Sequence, residues 1–298
     1  MKIGTRGSQL ARWQAEWVRA GLAERRVVAE LVVIKTRGDA EVDRPLHELE
    51  GKGFFTKEIE DALLAGRIDI AVHSLKDLPT DLPPGLALGV IPARHDPREA
   101  LVSGKTIGEL PAGTRVGTSS LRRIAQIRFL RPDLEVVSLR GNVPTRVRKV
   151  ETRDGLDAAL LALAGLERLD LGGKASAVDP LDVMPAPGQG ALGIEIRADD
   201  NATRTALRPL HDAASAAAVT AERALLAALR GGCQAPVAAF VGPGASGLGP
   251  RLYGRVTAQD GSVQLTASAD IDPKRPEAAG EAVARLLEAE GAASLLAR

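Results

Sequence analysis

Apolar and polar residues alternate over short runs near the start of the chain, and this spacing predicts strands at residues 2–5, 30–36, 68–73 and 86–91. Between them the period lengthens to that of a helix. Ser8 is placed to cap a helix running through Trp13, Trp17 and Val18, and residues 57–64 predict another. A turn around Leu78-Pro79 follows the third strand. The alternation restarts near Asp96, with strands expected at 115–118, 134–139, 158–163 and 191–196. Helices are expected at 121–130 and 143–150, and a Pro/Gly turn at 185–190. Strands interleaved with amphipathic helices predict parallel α/β sheets. From Ala213 the pattern changes to an Ala-rich helix ending at Gly231-Gly232. Short strands at 235–241, 251–256 and 263–267 and a helix at 276–290 then predict a smaller α+β domain, with 242–250 as a flexible loop.

One pattern occurs twice. Ile3-Gly4-Thr5-Arg6-Gly7-Ser8 and Val116-Gly117-Thr118-Ser119-Ser120 both put Gly-Thr at a strand end and Ser at a helix start. Two related lobes facing one cleft, each offering a helix N-terminus, would produce this; so would chance reuse of common strand–turn–helix chemistry.

Composition narrows the classes. A chain of 298 residues accommodates two or three domains. Aromatic residues make up 2% of it, too few for a base-stacking surface, and the formal net charge is +1, so any anion binding comes from local clustering. The single cysteine, Cys233, cannot form an intrachain disulfide. Arg6 and Arg12 fall where a signal peptide needs its apolar core, and no apolar run approaches a membrane span, so a cytoplasmic enzyme is expected.

Charge is clustered in one segment. Residues 115–153 hold ten cationic side chains, nine of them arginine, against three acidic ones. Arginine grips carboxylate or phosphate with two parallel hydrogen bonds. Arg122, Arg123, Arg140 and Arg146 fall at strand ends and helix starts, where free backbone N–H groups also favour an anion, so these four are expected to bind ligand. Arg128, Arg131, Arg148 and Arg153 read as solvated helix-face charges. A second signal is the run from His73 to Pro79, where a strand delivers Lys76 and Asp77 to a turn. An acid beside a base suits proton transfer, and equally an ordinary surface pair; His73 reads as structural. The third is Cys233 behind two glycines, either a small buried hydrophobe or a thiol close to a ligand. The four histidines have no metal-ligand spacing, and neither a dinucleotide fingerprint nor a P-loop is present.

In their order along the chain, Thr5-Arg6-Gly7-Ser8, Thr36-Arg37-Gly38-Asp39, Gly51-Lys52-Gly53-Phe54-Phe55, the stretch 71–79, the stretches 117–123 and 140–146, Pro187-Gly188-Gln189-Gly190 and the stretch 231–236 resemble the porphobilinogen deaminase family. The resemblance implies two periplasmic-binding-protein-like α/β lobes, 1–92 with 191–210 and 96–188, and a third small α+β domain, 213–298, carrying the cysteine. It implies a dipyrromethane cofactor thioether-linked to Cys233, onto which four porphobilinogens are condensed with loss of ammonia before hydrolysis frees hydroxymethylbilane for uroporphyrinogen-III synthase. Asp77 would be the catalytic carboxylate; Lys76, Thr118, Ser120, Arg122, Arg123 and Arg146 would hold the cofactor. Arg6, Ser8, Gln14, Arg140, Arg168 and Gln189 would hold substrate, while Lys52 and Phe55 belong to an expected lid over 42–55. A monomer with no metal, nucleic acid or membrane partner is implied. Pro144 and Gln9 depart from the family's usual glycine and proline, and both suit a first helical turn. About twelve carboxylates on a primer plus four substrate units match arginine forks and helix N-termini. The main rival is a two-lobed polycarboxylate-binding protein without catalysis, which leaves Lys76-Asp77 and Cys233 unexplained.

Overall fold

The first strand, β1 (Lys2–Thr5), hands over to a helix at Ser8, whose Oγ accepts the Ala11 amide at 3.3 Å and starts α1 (Gln9–Ala23). In this computed structural model, which describes residues 1–40, 55–230, 235–244 and 249–296, α1 buries Ala11, Gln14, Ala15, Val18 and Leu22 along one face. There follow β2 (Glu30–Val33), α2 (Arg37–Ala40), α3 (Lys57–Leu64), β3 (Ile70–Ser74) and β4 (Leu86–Val90). The chain divides into two compact units, Met1–His95 with Gly190–Ala216 and Asp96–Gln189 with Ala217–Arg298.

The second unit opens with β5 (Glu99–Val102) and β6 (Arg115–Gly117), then α4 (Leu121–Leu130), β7 (Glu135–Val137), α5 (Val143–Glu151), β8 (Ala158–Ala162), α6 (Leu163–Glu167) and β9 (Ser176–Ala177). The chain then returns to the first unit for β10 (Leu192–Arg197) and α7 (Asn201–Leu207). Helix α8 (Ala213–Ala228) leads to β11 (Val237–Pro243), β12 (Pro250–Thr257), β13 (Gln264–Asp270), α9 (Pro276–Ala289) and α10 (Ala292–Leu296).

Two sheets share one plan. The first unit orders its strands β2-β1-β3-β10-β4, with β1 parallel to β2 and β3, and β10 antiparallel to both β3 and β4. The second unit orders β7-β6-β8-β5-β9, with β6 parallel to β7 and β8, and β5 antiparallel to β8 and β9. Thus β1 and β6 are equivalent, and the twice-used Gly-Thr lies at the end of each. A Cβ on Gly4 would lie 2.3 Å from Ile68 Cδ1, and one on Gly117 2.7 Å from Leu156 Cδ1, so close packing dictates glycine at both. The expected parallel pairing holds for β1 with β2 and β3 and for β6 with β7 and β8, and each sheet adds an antiparallel fourth strand, β10 in the first and β5 in the second.

The third sheet, β11-β12-β13, is wholly antiparallel and packs on α9 through Val256, Val283 and Leu287. Arg255 fastens it within the second unit, donating to Gln126 Oε1 at 3.0 Å, Leu181 O at 2.7 Å and Asp182 O at 3.2 Å. Strand pairing continues to Pro243↔Pro250, so the expected 242–250 loop is shortened at both ends; residues 245–248 lie outside the described residues. No described helix is long and apolar enough to cross a membrane.

Candidate active site

In the first unit, β3 runs directly into a single 3-10 turn, Leu75–Asp77. Buried Leu75 anchors that turn, its amide bonded to Ala191 O at 3.0 Å and its carbonyl taken by the Leu78 amide at 3.1 Å. The anchoring leaves Lys76 half-buried and Asp77 exposed. Asp77 lines a small, open pocket together with Arg6, Ser8, Gln14, Phe55, Thr56, His73 and Ser74. Gln14, buried on α1, donates to Ser74 Oγ at 2.8 Å and joins the helix to the strand end. The Arg6 guanidinium lies 4.1 Å from the centre of the Phe55 ring, a cation–π contact. Of the expected residues, the pocket therefore gathers Arg6, Ser8, Gln14, Phe55 and Asp77; Lys52 lies outside the described residues.

The second unit supplies two adjacent helix starts. The Thr118 amide bonds Val137 O at 2.9 Å, and Ser119 Oγ donates to Leu139 O at 2.8 Å, which stitches the turn before α4 to the turn before α5. Ser120 stands at the N-cap of α4 without a side-chain capping bond. Asn142 caps α5, its Oδ1 accepting the Thr145 amide at 2.9 Å, and Pro144 occupies the first turn. Arg146 Nε donates to Gly141 O at 2.7 Å, and Gly141 has φ +112°, a conformation that favours glycine. Arg140 and Arg146 are both partly exposed at this rim.

Arg122 and Arg123 were expected to reach a ligand, and both are buried instead. Arg122 Nη2 donates to Glu99 Oε1 at 2.6 Å and its Nη1 to Met184 O. Arg123 reaches Glu99 Oε1 through Nε at 3.0 Å and Oε2 through Nη2 at 2.7 Å. Glu99, fully buried on β5, is the residue the sequence reading missed; no spacing marks it, because a single acid within a four-residue strand looks like a surface position. Burial lowers the Arg122 pKa, with Glu99 opposing it. Gln189 is also turned inward, donating to Pro97 O at 2.8 Å. Arg168 follows α6 at 5% exposure, and burial holds its pKa down to about 10. Arg131, read as a solvated charge, instead bonds Asp133 and the Ile107 and Leu110 carbonyls.

Each of the two α/β sheets ends its parallel strands in hydroxyl and guanidinium groups, and the first also presents the exposed Asp77 carboxylate, which defines an α/β protein suited to a small anionic ligand. Comparison with known proteins makes this specific. The model of the porphobilinogen deaminase dipyrromethane cofactor binding domain matches residues 1–205, and that of the family's C-terminal domain matches 216–289. The chain belongs to the porphobilinogen deaminase family. It is 50% identical over 99% of its length to porphobilinogen deaminase from Moorella thermoacetica, covering 95% of that protein. It is 49% identical over its full length to porphobilinogen deaminase from Syntrophotalea carbinolica, again covering 95%. Likeness to solved structures is weaker: a putative methionine-binding lipoprotein from Bacillus subtilis gives a TM-score of 0.42 at 13% identity, covering 72% of this chain and 91% of that one. The chain is thus a transferase that condenses four porphobilinogens on a dipyrromethane primer, and the solute-binding alternative is not favoured.

Proposed function

We propose that the pocket beside the Leu75–Asp77 turn is where the condensation is catalysed, with Asp77 as the working carboxylate. The observation that carries this is the gathering of Arg6, Ser8, Gln14 and Asp77 around one concavity, with Asp77 the only acid among the described residues that line it. As ammonia leaves porphobilinogen, positive charge develops on the pyrrole, and a fixed carboxylate stabilises it. Asp77 also accepts hydrogen bonds from pyrrole N–H groups and assists proton movement at the condensing carbons. Arg6, with its guanidinium over Phe55, and Ser8 bind acetate and propionate groups of the incoming substrate, as do Arg140 and Arg168 in the second unit, with Gln14 and Gln189 shaping their surroundings.

Lys76, Thr118, Ser120 and Arg146 hold the dipyrromethane, and the donor set fits it: hydroxyls, backbone N–H groups at two helix starts and a guanidinium suit a tetra-acid. When bound, the group supplies the nucleophilic pyrrole carbon on which the chain grows. Arg122 and Arg123 serve this rim from beneath: two guanidinium groups against one Glu99 carboxylate leave a surplus positive charge below the first turn of α4. Cys233, outside the described residues, is the attachment point. We further read the protein as a monomer working in the cytoplasm and passing its product to uroporphyrinogen-III synthase.

Asp77→Asn keeps shape and removes charge. We expect turnover to fall on the order of 100-fold or more, with the protein still folded and still carrying its primer by intact mass. Parental turnover in that variant removes Asp77 from the mechanism.

A further inference from the structure

Behind the pocket lies a buried set of ionisable groups to which the reaction described above gives no task. His73 on β3 and Glu195 on β10 point to the same face of the sheet, because β3 and β10 pair antiparallel with Ala71 opposite Glu195 and Gly193 opposite His73. At Gly193, opposite the imidazole, a Cβ would lie 2.9 Å from Leu75 Cδ1, so apolar side chains close that side of the ring. His73 Nε2 and Glu195 Oε2 are 3.3 Å apart, with side chains 4% and 0% exposed. Helix α3 covers this face with Ile59 and Leu63, and brings Glu60 to the pair. Burial pushes the Glu60 pKa up, helped by the neighbouring charge of Glu195 and opposed by the Thr56 hydroxyl and by His73.

Four polar atoms here, His73 Nε2, both Glu195 oxygens and Glu60 Oε1, are buried without a hydrogen bond to any described residue. Groups so costly to bury are retained where they have a task. Two carboxyl groups and one imidazole are thus packed together in the core, where burial favours the uncharged form of Glu60.

We propose that His73, braced from behind by Glu195, is a positioning residue for Asp77, and that Glu60 is a packing neighbour of the pair and not part of the brace. His73 and Asp77 line the same pocket, and a ring held in place fixes the end of β3 from which the turn carrying Asp77 departs. The groups facing the imidazole are Glu195 from β10 and Glu60 from α3, with Asp61 beside Glu60; Arg6 and Asp77 line the same pocket as the ring, and Gln14 of α1 reaches the adjoining Ser74. The inference rests on the reading of Asp77 as the working carboxylate.

Two isosteric substitutions in the holoenzyme separate this role from packing. Glu195→Gln removes the carboxylate that braces His73, and Glu60→Gln keeps the shape of a group whose uncharged form burial favours. We expect Glu195→Gln to carry its primer by intact mass, to keep KM for porphobilinogen within about 2-fold, and to lose about 10-fold or more in kcat with a displaced kcat–pH profile. Glu60→Gln should retain kcat within about 2-fold near neutral pH and carry its primer. The imidazole NMR signal of His73, assigned by His73→Gln, should differ between Glu195→Gln and the parent, whether or not the enzyme turns over. Parental kcat and pH profile in Glu195→Gln overturn the proposal, as does a Glu60→Gln enzyme as slow as Glu195→Gln. Where Glu195→Gln does not fold, His73→Gln takes its place, with the same expected loss in kcat at unchanged KM; a parental kcat there overturns it too. Failure of the Asp77 reading shows separately, as parental turnover in Asp77→Asn with the His73 signal still responding to Glu195.

Discussion

At the scale of single residues, the instructive site is Glu99. Arg122 and Arg123 sit in a motif whose position at a strand end and helix start was legible, and that position was found; where their side chains point was not. Side-chain direction depends on what lies across the sheet, and the acid that captures both guanidinium groups is contributed by β5, some twenty residues earlier. Asp77 was legible for the opposite reason: a strand, a short turn and a proline confine the carboxylate to the strand end whatever the rest of the chain does. The energetics of the Glu99 site are testable. Removing one partner of a buried ion pair costs about 3–5 kcal/mol, because the remaining charge is left uncompensated in the core. Glu99→Gln leaves two buried guanidinium groups facing a neutral amide, so a loss of that order in urea unfolding is expected. Stability within about 0.5 kcal/mol of the parent, the ordinary range of a surface change, would show that Glu99 is not what neutralises them.

At the scale of elements, the helices were the easiest to read, since α4 falls on residues 121–130 as its apolar period predicts and α5 begins at Val143 behind Asn142. Short strands with both faces covered were harder. β5 has four residues, all buried, and its first is charged, so neither alternation nor an apolar run announces it. β9, with two residues, offers no period at all. The repeated sheet plan was visible in sequence only as the Gly-Thr echo, because what the two sheets share is strand order and close packing at Gly4 and Gly117, not a residue pattern. The cap of α5 gives a prediction at this scale. Asn142 holds the Thr145 amide, and the same turn carries Arg140 and Arg146. Asn142→Ala should cost about 1 kcal/mol in thermal or urea unfolding, whereas Asn142→Asp, also a good cap, should not. Equal losses in both variants would mean that something other than the cap starts this helix.

At the scale of the whole molecule, the family's two domain matches divide the work between a cofactor-binding region over 1–205 and a C-terminal domain over 216–289, and Cys233 falls in the second, just beyond α8. In the proposed arrangement the primer is tethered through the Cys233 sulfur. Sulfur would suit that tether because a thiol is nucleophilic even when only a small fraction is ionised, so it would capture an electrophilic pyrrole once, during assembly of the enzyme, and then remain as an inert thioether. The consequence is a covalent mass. The purified, denatured protein should weigh more than its sequence by two pyrrole units and should colour with an aldehyde reagent for pyrroles, and Cys233→Ser should lose both signals along with activity. Because the parent chain has a single cysteine, no second thiol can take over the tether. An active parent protein at sequence mass would remove the covalent primer from this enzyme, and a Cys233→Ser protein that kept the increment would move the attachment to another residue.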